Sequence, residues 1–575
     1  MSILILYGSE TGTAQDLAES LRREAQMRHL AARVFELDEY DVGNLPSEDV
    51  ILFVVSTTGQ GEMPPNMRKT WKSLLRKSLG TDFLRNTHCT VLGLGDSSYQ
   101  KYNFAGKKLF RRLAQLGAKM MTKGAFLADD QHEIGIDGAF IPWKQEIWTG
   151  IRDLGIFEKM SEQIDPDVEI QTKYRIVTVE KGVEEESEDA EFSESDYKAL
   201  RVASNVRVTS EAHFQDTRLV KFEIPAESRI PMTYLPGDVL MVRPYNPEET
   251  VKIAIEALGY SEEMLHRTLK VVKNDQFSKN PPYFLFGHRT TLLTLLQRYF
   301  DLQQIPKRSF FEMMAYYSKD PSEKERLREL SSPEGLDDLL DYANRCRRTT
   351  AETFRDFPAT SKNLGLNHLF EILTVIRPRA FSIASAPSGS HVELLVAKVE
   401  YKSRMADRRR GLCSTFIARL KEGDEVFCKI RAGTFRFPTP DAPVICIGPG
   451  TGVAPFRSLF GQRSQISPNS TGFLFFGCRG EHDDFYFSEE WNKMECVEVV
   501  AAFSRDTEKK VYVQHKMGER ARDIKKMLDS GASVFIAGSS GDMPKAVASV
   551  LAQIQGGEWT KKAEETGRIQ YETWS

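Results

Sequence analysis

Several features that mark other classes of protein are missing from this sequence of 575 residues. Its 7 cysteines are scattered and never form a CxxC pair, and its 10 histidines show no HExxH spacing. These absences argue against a disulfide framework and against a metal site. No apolar run approaches the ~20 residues that a membrane-spanning helix needs. A net charge of −4 gives no reason to expect nucleic acid or an anionic membrane as a partner.

The composition that remains is that of an ordinary globular protein. The chain is 41% hydrophobic and 27% charged, and its length predicts about three or four domains. The odd number of unpaired cysteines indicates a reducing compartment, so we expect a cytoplasmic protein. Because the chain begins directly with an apolar strand, we also expect neither a signal peptide nor a membrane anchor.

Strand-like and helix-like patterns alternate over residues 1–151. The strand-like runs are ILILY, VILFVVST, CTVLGLG and KGAFLADD, and helical patterns separate them. Such alternation is typical of a parallel sheet covered by helices on both faces. We therefore predict one compact α/β domain over these residues.

An acidic stretch, EEESEDAEFSESD, follows at residues 184–196. A run of like charge is usually a solvated tether, and less often a specific docking motif. We predict a linker over residues 152–198 that lets the first domain move relative to the rest.

The rest of the chain shows two different patterns of predicted secondary structure. Residues 199–441 contain β-like segments interrupted by a mostly helical block at about 246–373, which predicts a β-barrel with a helical insertion. Residues 442–575 return to alternating strands and helices, which predicts a second parallel α/β unit. The expected fold class is therefore multidomain α/β.

The first strand leads through YGSETGTAQDLAESL into an amphipathic helix. A glycine turn that opens a helix directs backbone N–H groups at one point, which suits an anion. A triphosphate loop would need a lysine that is missing, and Glu10 would repel a highly charged ligand. Ser9, Thr11 and Thr13 can donate to one phosphate, which favours a mononucleotide. An ordinary N-capped helix would use the same residue types.

Two further polar, glycine-rich loops follow the next strands, STTGQGE at 56–62 and LGLGDSSYQKYN at 92–103. Ligands of open parallel sheets bind outside the carboxyl ends of the strands, so the three loops are expected to converge on one crevice. Tyr99 would be placed to stack on a flat ring, although an exposed loop tyrosine needs no such role.

The segments TGTAQ, TTGQGE and GLGDSSYxKxN resemble the flavodoxin-like domain of the diflavin reductases, which binds FMN. The resemblance implies that the first loop holds the phosphate, the next two line the isoalloxazine, and Asp130 closes the site. The implied FMN-binding residues are Ser9, Glu10, Thr11, Gly12, Thr13, Ala14, Ser56, Thr57, Thr58, Gly59, Leu94, Gly95, Asp96, Ser97, Ser98, Tyr99, Gln100, Lys101, Tyr102, Asn103 and Asp130. Microsomal relatives place a second stacking aromatic where this chain has Thr58.

Two motifs in the barrel region can hold a second ligand, RPRAFSIASAP at 377–387 and RRRGLCST at 408–415. The first sets an arginine, an aromatic and a serine on one extended segment, and the second offers a glycine turn with hydroxyls for a pyrophosphate. An ordinary strand would also account for the first motif, and a solvent-exposed surface rich in arginine would account for the second. The motifs resemble the FAD signature of the ferredoxin–NADP reductase superfamily, which implies FAD contacts at Arg347, Arg379, Ala380, Phe381, Ser382, Gly411, Leu412, Cys413 and Ser414.

The third candidate site starts at CIGPGTGVAPFRSL, residues 446–459, where a strand feeds a GxGxxxP turn and a helix. After a later strand, Arg505 and Lys510 suit the extra 2′-phosphate of NADPH, although either is also an ordinary surface cation. The family resemblance implies NADPH contacts at Thr451, Ser504, Arg505, Lys510, Val511, Tyr512, Val513 and Gln514.

The chain ends in YETWS. An aromatic at a free terminus is normally loosely packed. Members of the family lay this aromatic on the FAD ring, which implies a catalytic role for Trp574 beside Ser382. Microsomal relatives have a cysteine at Ala537, an aspartate at Glu572 and an acidic residue at Ala546.

Together the motifs imply a diflavin reductase: a flavodoxin-like domain, a β-barrel FAD domain with an insertion, and a Rossmann-like NADP domain. Flavins can accept two electrons from a hydride donor and pass them on one at a time to a one-electron acceptor. TTGQGE, RPRAFSIAS and YETW are most similar to soluble members of cytosolic iron–sulfur protein assembly, which implies an anamorsin-type iron–sulfur partner. The alternatives are an anchorless cytochrome reductase, a sulfite- or methionine-synthase-reductase relative, or a scaffold without hydride transfer.

Overall fold

The computed structural model describes residues 2–59, 61–99, 101–179, 197–226, 232–274, 280–387 and 389–574. The chain divides into two compact units. The first unit comprises Met1–Phe192, Asn246–Arg377 and Lys402–Asp407. The second unit comprises Ser193–Tyr245, Pro378–Tyr401 and Arg408–Ser575. The helical insertion therefore belongs to the same unit as the N-terminal α/β segment, although the β-rich region flanks it in sequence.

The elements are numbered in chain order. The strands are β1 (Ile3–Gly8), β2 (Ala32–Glu36), β3 (Val50–Ser56), β4 (His88–Gly95), β5 (Lys119–Met120), β6 (Phe126–Asp129), β7 (Tyr174–Thr178), β8 (Lys198–Arg207), β9 (Thr217–Glu223), β10 (Val239–Val242), β11 (Thr268–Lys273), β12 (Thr290–Thr291), β13 (Arg379–Ser382), β14 (His391–Ala397), β15 (Glu400–Tyr401), β16 (Arg409–Arg410), β17 (Glu425–Arg431), β18 (Val444–Ile447), β19 (Gly472–Cys478), β20 (Glu498–Phe503), β21 (Ser533–Ser539) and β22 (Ile569–Trp574).

The helices follow the same numbering. They are α1 (Thr13–Met27), α2 (Arg68–Leu74), α3 (Phe104–Gln115), α4 (Asp137–Asp153), α5 (Glu248–Leu258), α6 (Glu262–His266), α7 (Tyr283–Phe286), α8 (Leu292–Arg298), α9 (Arg308–Tyr317), α10 (Pro321–Ser331), α11 (Leu336–Leu339), α12 (Thr350–Asp356), α13 (Pro358–Ser361), α14 (Leu369–Ile372), α15 (Leu412–Arg419), α16 (Ala454–Ile466), α17 (Ser488–Trp491), α18 (Val513–Glu519), α19 (Ala521–Asp529), α20 (Asp542–Gln555) and α21 (Gly557–Glu565). Short 3₁₀ turns lie at Leu37–Glu39, Val42–Ser47, Pro65–Met67, Leu366–His368 and Gly450–Val453, and a π-helical turn lies at Leu340–Arg345.

The N-terminal sheet of the first unit is parallel, as predicted. Its strands lie in the order β2-β1-β3-β4-β5, and β6 also pairs with β4. Alternate residues of β1 enter two separate core clusters, Ile5 in one and Leu6 in the other, so both faces are covered. The order changes direction between β1 and β3, which is where ligands of such sheets bind. Strand β2 was not among the predicted strands.

The predicted helical insertion folds as helices α5 to α14 around its own aromatic core, in which Phe300, Phe311 and Phe354 are fully buried. Strands β7, β11 and β12 form a small antiparallel sheet beside it. Because β7 falls within the predicted linker 152–198, part of that segment is regular structure. The acidic run at 184–196 lies outside the described residues.

The β-rich part of the second unit is an antiparallel sheet in the order β13-β10-β17-β8-β9-β14. Its two edge strands meet only at an isolated bridge between Ile383 and Leu394. Within the described residues, the predicted β-barrel is therefore a curled sheet without a continuous closing ladder. A bulge between Val202 and Ser204 interrupts the register of β8, as is common where a sheet bends.

The C-terminal part of the second unit is a parallel sheet in the order β20-β19-β18-β21-β22, which confirms the predicted second α/β unit. Residues Ile445 and Cys446 of β18 point into different core clusters, so this sheet too is covered on both faces. The last residues form the edge strand β22, in which Trp574 pairs with Ser539 of β21. The C-terminal tryptophan is therefore held in a ladder, unlike a loosely packed terminus.

Across the described parts of the chain, no helix is long and apolar enough to cross a membrane, and no three metal-ligating side chains are grouped to hold an ion. The seven cysteines are free thiols, and all except Cys346 are buried. Burial raises the pKa of thiols such as Cys89 and Cys446. These thiols are therefore protonated and inert at neutral pH.

Candidate functional site

The loops predicted to converge in the first unit do so. Strands β1, β3, β4 and β6 are parallel neighbours, so their carboxyl ends lie at one edge of the sheet. Hydrogen bonds join these ends directly: Ser56 Oγ donates to Gly8 O at 3.2 Å, and the N–H of Asp130 donates to Gly95 O at 2.9 Å. The three polar loops and Asp130 therefore lie together at one edge of the sheet.

Two hydrogen bonds of Ser9 fix the conformation of the first loop. Ser9 is buried; its N–H donates to Asn66 Oδ1 at 2.8 Å, and its Oγ accepts from the N–H of Gly12 at 2.9 Å. Gly12 precedes α1 with φ 95°, a conformation that favours glycine. The N–H groups of the first turn of α1 have no acceptor within the helix, so the loop fits an anion. Asn66 was not predicted, because it comes from a distant turn with no motif.

The second loop is a tight turn. The backbones of Thr58 and Glu62 exchange two hydrogen bonds of 3.1 and 2.8 Å, and Gly59 between them has φ 47°. Thr57 is fixed from both sides, because its N–H donates to Leu94 O at 2.9 Å and its Oγ1 accepts from the N–H of Ala105 at 3.2 Å. The second loop is therefore tied to the third.

In the third loop, Tyr99 is half-buried, and its N–H closes a turn on Asp96 O at 3.2 Å. Tyr102 and Asn103 are turned toward β6: the Tyr102 hydroxyl donates to Leu127 O at 2.9 Å, and Asn103 Nδ2 donates to Ala128 O at 2.8 Å. The side chain of Asn103 is fully buried. These two side chains therefore hold the loop in place, and Gln100 lies outside the described residues.

Three acidic side chains stand around this edge of the sheet. Burial raises the pKa of Asp130, and the neighbouring charges of Asp96 and Asp129 raise it further. Asp129 Oδ1 accepts from the N–H of Ser97 at 2.9 Å, so it positions the third loop. The sequence LADD contains both aspartates, but only Asp130 is among the predicted site residues. The solvent-exposed members of the predicted set are Glu10, Thr11, Gly59, Ser97, Ser98, Lys101 and Asp130.

In the second unit, Ser382 lies at the end of β13, and its Oγ donates to Glu572 Oε1 at 2.7 Å. Glu572 belongs to β22 and pairs with Ala537 of β21. Its other carboxylate oxygen, Oε2, is buried without a hydrogen-bond partner in the described parts of the chain. Burial raises the pKa of Glu572. The structure thus brings Ser382 to the strand that ends in Trp574, whose side chain is 40% exposed.

The RRRGLCST motif forms the N-terminus of helix α15. Gly411 precedes the helix, and a Cβ added there would lie 2.7 Å from Ser414 Oγ and 2.9 Å from Val399 Cβ. Ser414 Oγ already accepts from the N–H of Val399 at 3.0 Å. Burial raises the pKa of the Cys413 thiol to about 12, and the charge of Arg379 opposes this rise, which places Arg379 near the helix start.

The remaining predicted FAD residues occupy different settings. Ala380 is exposed and Phe381 is half-buried, both on β13, and Leu412 is buried at the start of α15. Arg347 belongs to the first unit, where it is exposed and adopts φ 54° after the π-helical turn. Its role stays a prediction.

The glycine-rich turn after β18 packs closely on β21. A Cβ added at Gly452 would lie 2.3 Å from Ala537 O, so only glycine fits there. The neighbouring Thr451 is half-buried. The turn opens α16 at the carboxyl edge of the parallel sheet, where backbone N–H groups suit a pyrophosphate.

The loop from Ser504 to Tyr512 follows β20 at the same edge. The N–H groups of Ser504 and Arg505 donate to Cys478 O and Arg479 O at 3.0 and 2.8 Å. Arg505, Lys510 and Tyr512 are exposed, and Val511 and Gln514 are half-buried. Val513 begins α18 with its side chain buried in the core, so only its backbone is available to a ligand.

Three protein families match successive segments of the chain, in the order in which the three candidate sites occur. Residues 5–143 match the flavodoxin family, residues 190–416 match the FAD binding domain, and residues 446–549 match the oxidoreductase NAD-binding domain.

Full-length relatives carry one common name, NADPH-dependent diflavin oxidoreductase 1. The protein of Xenopus laevis is 38% identical over 607 aligned residues, covering 100% of this chain and 99% of the frog protein. The protein of Bos taurus is 39% identical over 603 residues, with 100% and 99% covered. The protein of Arabidopsis thaliana is 35% identical over 629 residues, again with 100% and 99% covered.

Proposed function

The chain belongs to the NADPH-dependent diflavin oxidoreductase family, and on that premise we propose that it delivers electrons singly to an anamorsin-type iron–sulfur protein in cytosolic iron–sulfur assembly. It is an NADPH-dependent oxidoreductase whose flavodoxin, FAD and NAD-binding domains take FMN, FAD and NADPH. The bound flavins supply both two-electron and one-electron chemistry. The observation that carries the proposal is the full-length similarity to relatives of one name, together with TTGQGE, RPRAFSIAS and YETW.

The acceptor is tested with the whole flavin-loaded protein under anaerobic conditions. We expect NADPH to bleach the visible flavin bands, and the reduced protein to reduce an anamorsin-type iron–sulfur protein faster than cytochrome c or a sulfite-reductase haem subunit. Stopped-flow absorbance follows both steps. Preference for a haem acceptor would favour the cytochrome- or sulfite-reductase alternative, and unbleached flavin would favour the scaffold.

The residues of the first site fit FMN. The Ser9 and Gly12 loop presents backbone donors to a phosphate, and the turn of Thr58 and the half-buried Tyr99 border the flat space expected for the ring. Thr58 supplies no aromatic face. Within this proposal, Tyr99 alone stacks on the isoalloxazine.

The residues of the second unit fit FAD and NADPH. Helix α15 offers its N-terminus to the FAD pyrophosphate with Arg379 nearby, and the turn at Thr451 does the same for NADPH. Ser382 and Trp574 are the proposed catalytic residues. The unpartnered Oε2 of Glu572 marks a polar point that a bound nucleotide can satisfy.

Glu572 accepts a hydrogen bond from the hydroxyl of Ser382, and the strength of this bond depends on whether Glu572 is protonated. A carboxylate accepts a stronger hydrogen bond than a protonated carboxyl group. Because burial raises the pKa of Glu572, the carboxylate is lost at a higher pH than for an ordinary glutamate. We expect the rate of FAD reduction by NADPH to fall as pH falls through this raised pKa.

Glu572→Gln keeps an acceptor for Ser382 but does not titrate. We expect its rate to be about fivefold lower, the effect of replacing a charged hydrogen bond by a neutral one, and to be flat where the wild-type rate declines. Single-turnover rates of FAD reduction, measured as the pH is lowered from neutrality, test this. A declining profile in the variant would assign the pH dependence to another group.

A further inference from the structure

The phosphate loop of the first site is contacted by a residue of the helical insertion that lies 294 positions further along the chain. Lys307 Nζ donates to Thr13 Oγ1 at 3.3 Å. Thr13 is the first residue of α1, and Lys307 immediately precedes α9. The N-terminal ends of two helices therefore meet at this contact, and each end attracts anions.

A second cation reaches the same loop from the end of the insertion. The guanidinium of Arg377 lies against Gly12: a Cβ added there would be 3.2 Å from both Nε and Nη2. Arg377 Nη2 also donates to Gln15 Oε1. Lys307 and Arg377, neither of which belongs to the flavodoxin-matched segment, thus flank the turn where a phosphate is expected.

The position of Lys307 is fixed by its two neighbours in sequence. Arg308 Nε donates to Asp137 Oδ1 at 3.0 Å, and Ser309 Oγ donates to Asp16 Oδ1 at 2.8 Å. The charge of Arg308 is therefore compensated by a carboxylate of α4. Lys307 is anchored at the loop without depending on its own side chain for the contact between the two segments.

Lys307 also lies close to the acidic residues at this edge of the sheet. Its charge lowers the pKa of Asp130, against the effect of burial and of Asp96. The ammonium group thus contacts the first loop and is close enough to Asp130, the residue predicted to close the site, to affect its charge. It carries three donors, and the contact with the Thr13 hydroxyl uses one of them.

We propose that Lys307 binds the phosphate of FMN, with Arg377 as a second cation, so that the phosphate joins the flavodoxin segment to the helical insertion. The inference rests on the function proposed above, because it assumes FMN in the first site. By thermodynamic linkage, a phosphate bound by both segments must also stabilise the contact between them. Binding of FMN should therefore stabilise the contact between the helical insertion and the flavodoxin segment, in addition to filling the phosphate loop.

The test compares FMN with riboflavin, which has the same ring and no phosphate. Full-length protein is stripped of FMN, and each flavin is titrated by the quenching of its fluorescence. We expect Lys307→Met to weaken FMN binding about tenfold, the loss of one hydrogen bond to a charged group, and to change riboflavin binding less than twofold. Lys307→Arg should restore FMN affinity, and Lys324→Met on α10 is the matched control.

Hydrogen exchange gives a readout independent of affinity. We expect FMN, and not riboflavin, to slow amide exchange at the start of α9 in the wild-type protein, and this protection to disappear in Lys307→Met. Equal weakening of both flavins, equal protection by both, or unchanged FMN affinity in Lys307→Met would overturn the proposal while leaving the FMN site intact. Failure of the wild-type protein to bind FMN would overturn the proposed function as well.

Discussion

Glu371→Ala is expected to lower the free energy of local opening of the first unit by about 3–5 kcal/mol, the range for breaking a buried ion pair. The side chain of Glu371, on α14, is fully buried. Its Oε2 accepts from Arg22 Nη2 of α1 at 2.6 Å, and its Oε1 accepts from the N–H of Lys173 at 2.8 Å. Arg23 lies 3.7 Å away. Alanine would leave two buried guanidinium groups without this carboxylate.

The rest of this cluster shows why the buried side chain of Glu19 remains ionised. Burial opposes the charge of Glu19, but Lys173 and Arg22 outweigh that effect and lower its pKa to about 2. Lys173 Nζ lies 3.1 Å from Glu19 Oε1, and Arg22 Nε lies 2.9 Å from Glu19 Oε2. Removing Glu371 leaves Glu19 as the carboxylate paired with Arg22, and its single negative charge does not balance the two guanidinium groups and Lys173.

Native-state hydrogen exchange at α1 and α14 measures the loss, because one free energy of unfolding is not well defined for a protein of several domains. Glu329→Ala is the matched control: its pair with Arg326 has side chains 57% and 45% exposed, and such surface pairs contribute about 0–1 kcal/mol. A loss at Glu371 no larger than at Glu329 would contradict the assignment. Glu371→Gln, which keeps one acceptor oxygen and loses the charge, should fall between them.

The same cluster shows where prediction from the sequence stops. The alternation of strands and helices predicts both parallel sheets, because period and length depend on local residue choice. The polar face of α1 reads as solvent-exposed, yet Glu19, Arg22 and Arg23 are buried. They are covered by the insertion and by the segment before β7, which lie far along the chain. Tertiary contacts of this kind leave no local pattern.

The candidate sites divide in the same way. Loops after neighbouring parallel strands must converge, so the meeting of Ser9, Ser56 and Gly95 at one edge of the sheet follows from topology alone. Which side chains face it does not follow, because Asn103 turns toward β6 in the structure. The role of Lys307 depends on how the insertion packs. Similarly, Arg463 reads as an ordinary helix cation, but its guanidinium is fully buried and finds no hydrogen-bond partner in the described parts of the chain.

Arg505→Ala combined with Lys510→Ala is expected to raise the Kd for NADPH about 100-fold, the loss of two hydrogen bonds to a charged group. Both side chains are exposed in the loop after β20, at the carboxyl edge of the parallel sheet. NADPH differs from NADH only by the 2′-phosphate. Because NADH has no 2′-phosphate, cations that bind this group make no contact with NADH. We therefore expect the Kd for NADH to change less than twofold.

Isothermal titration of the flavin-loaded protein with NADP⁺ and NAD⁺, together with the KM for each reduced nucleotide, measures this discrimination. Lys525→Ala with Lys526→Ala, on α19, removes the same charge from another surface of the same domain, so it controls for a general loss of attraction between protein and nucleotide. At high ionic strength the difference between the double variants should shrink, because exposed charges are screened. Equal loss for both nucleotides would place Arg505 and Lys510 at the pyrophosphate or at the surface, and the 2′-phosphate would then be recognised elsewhere.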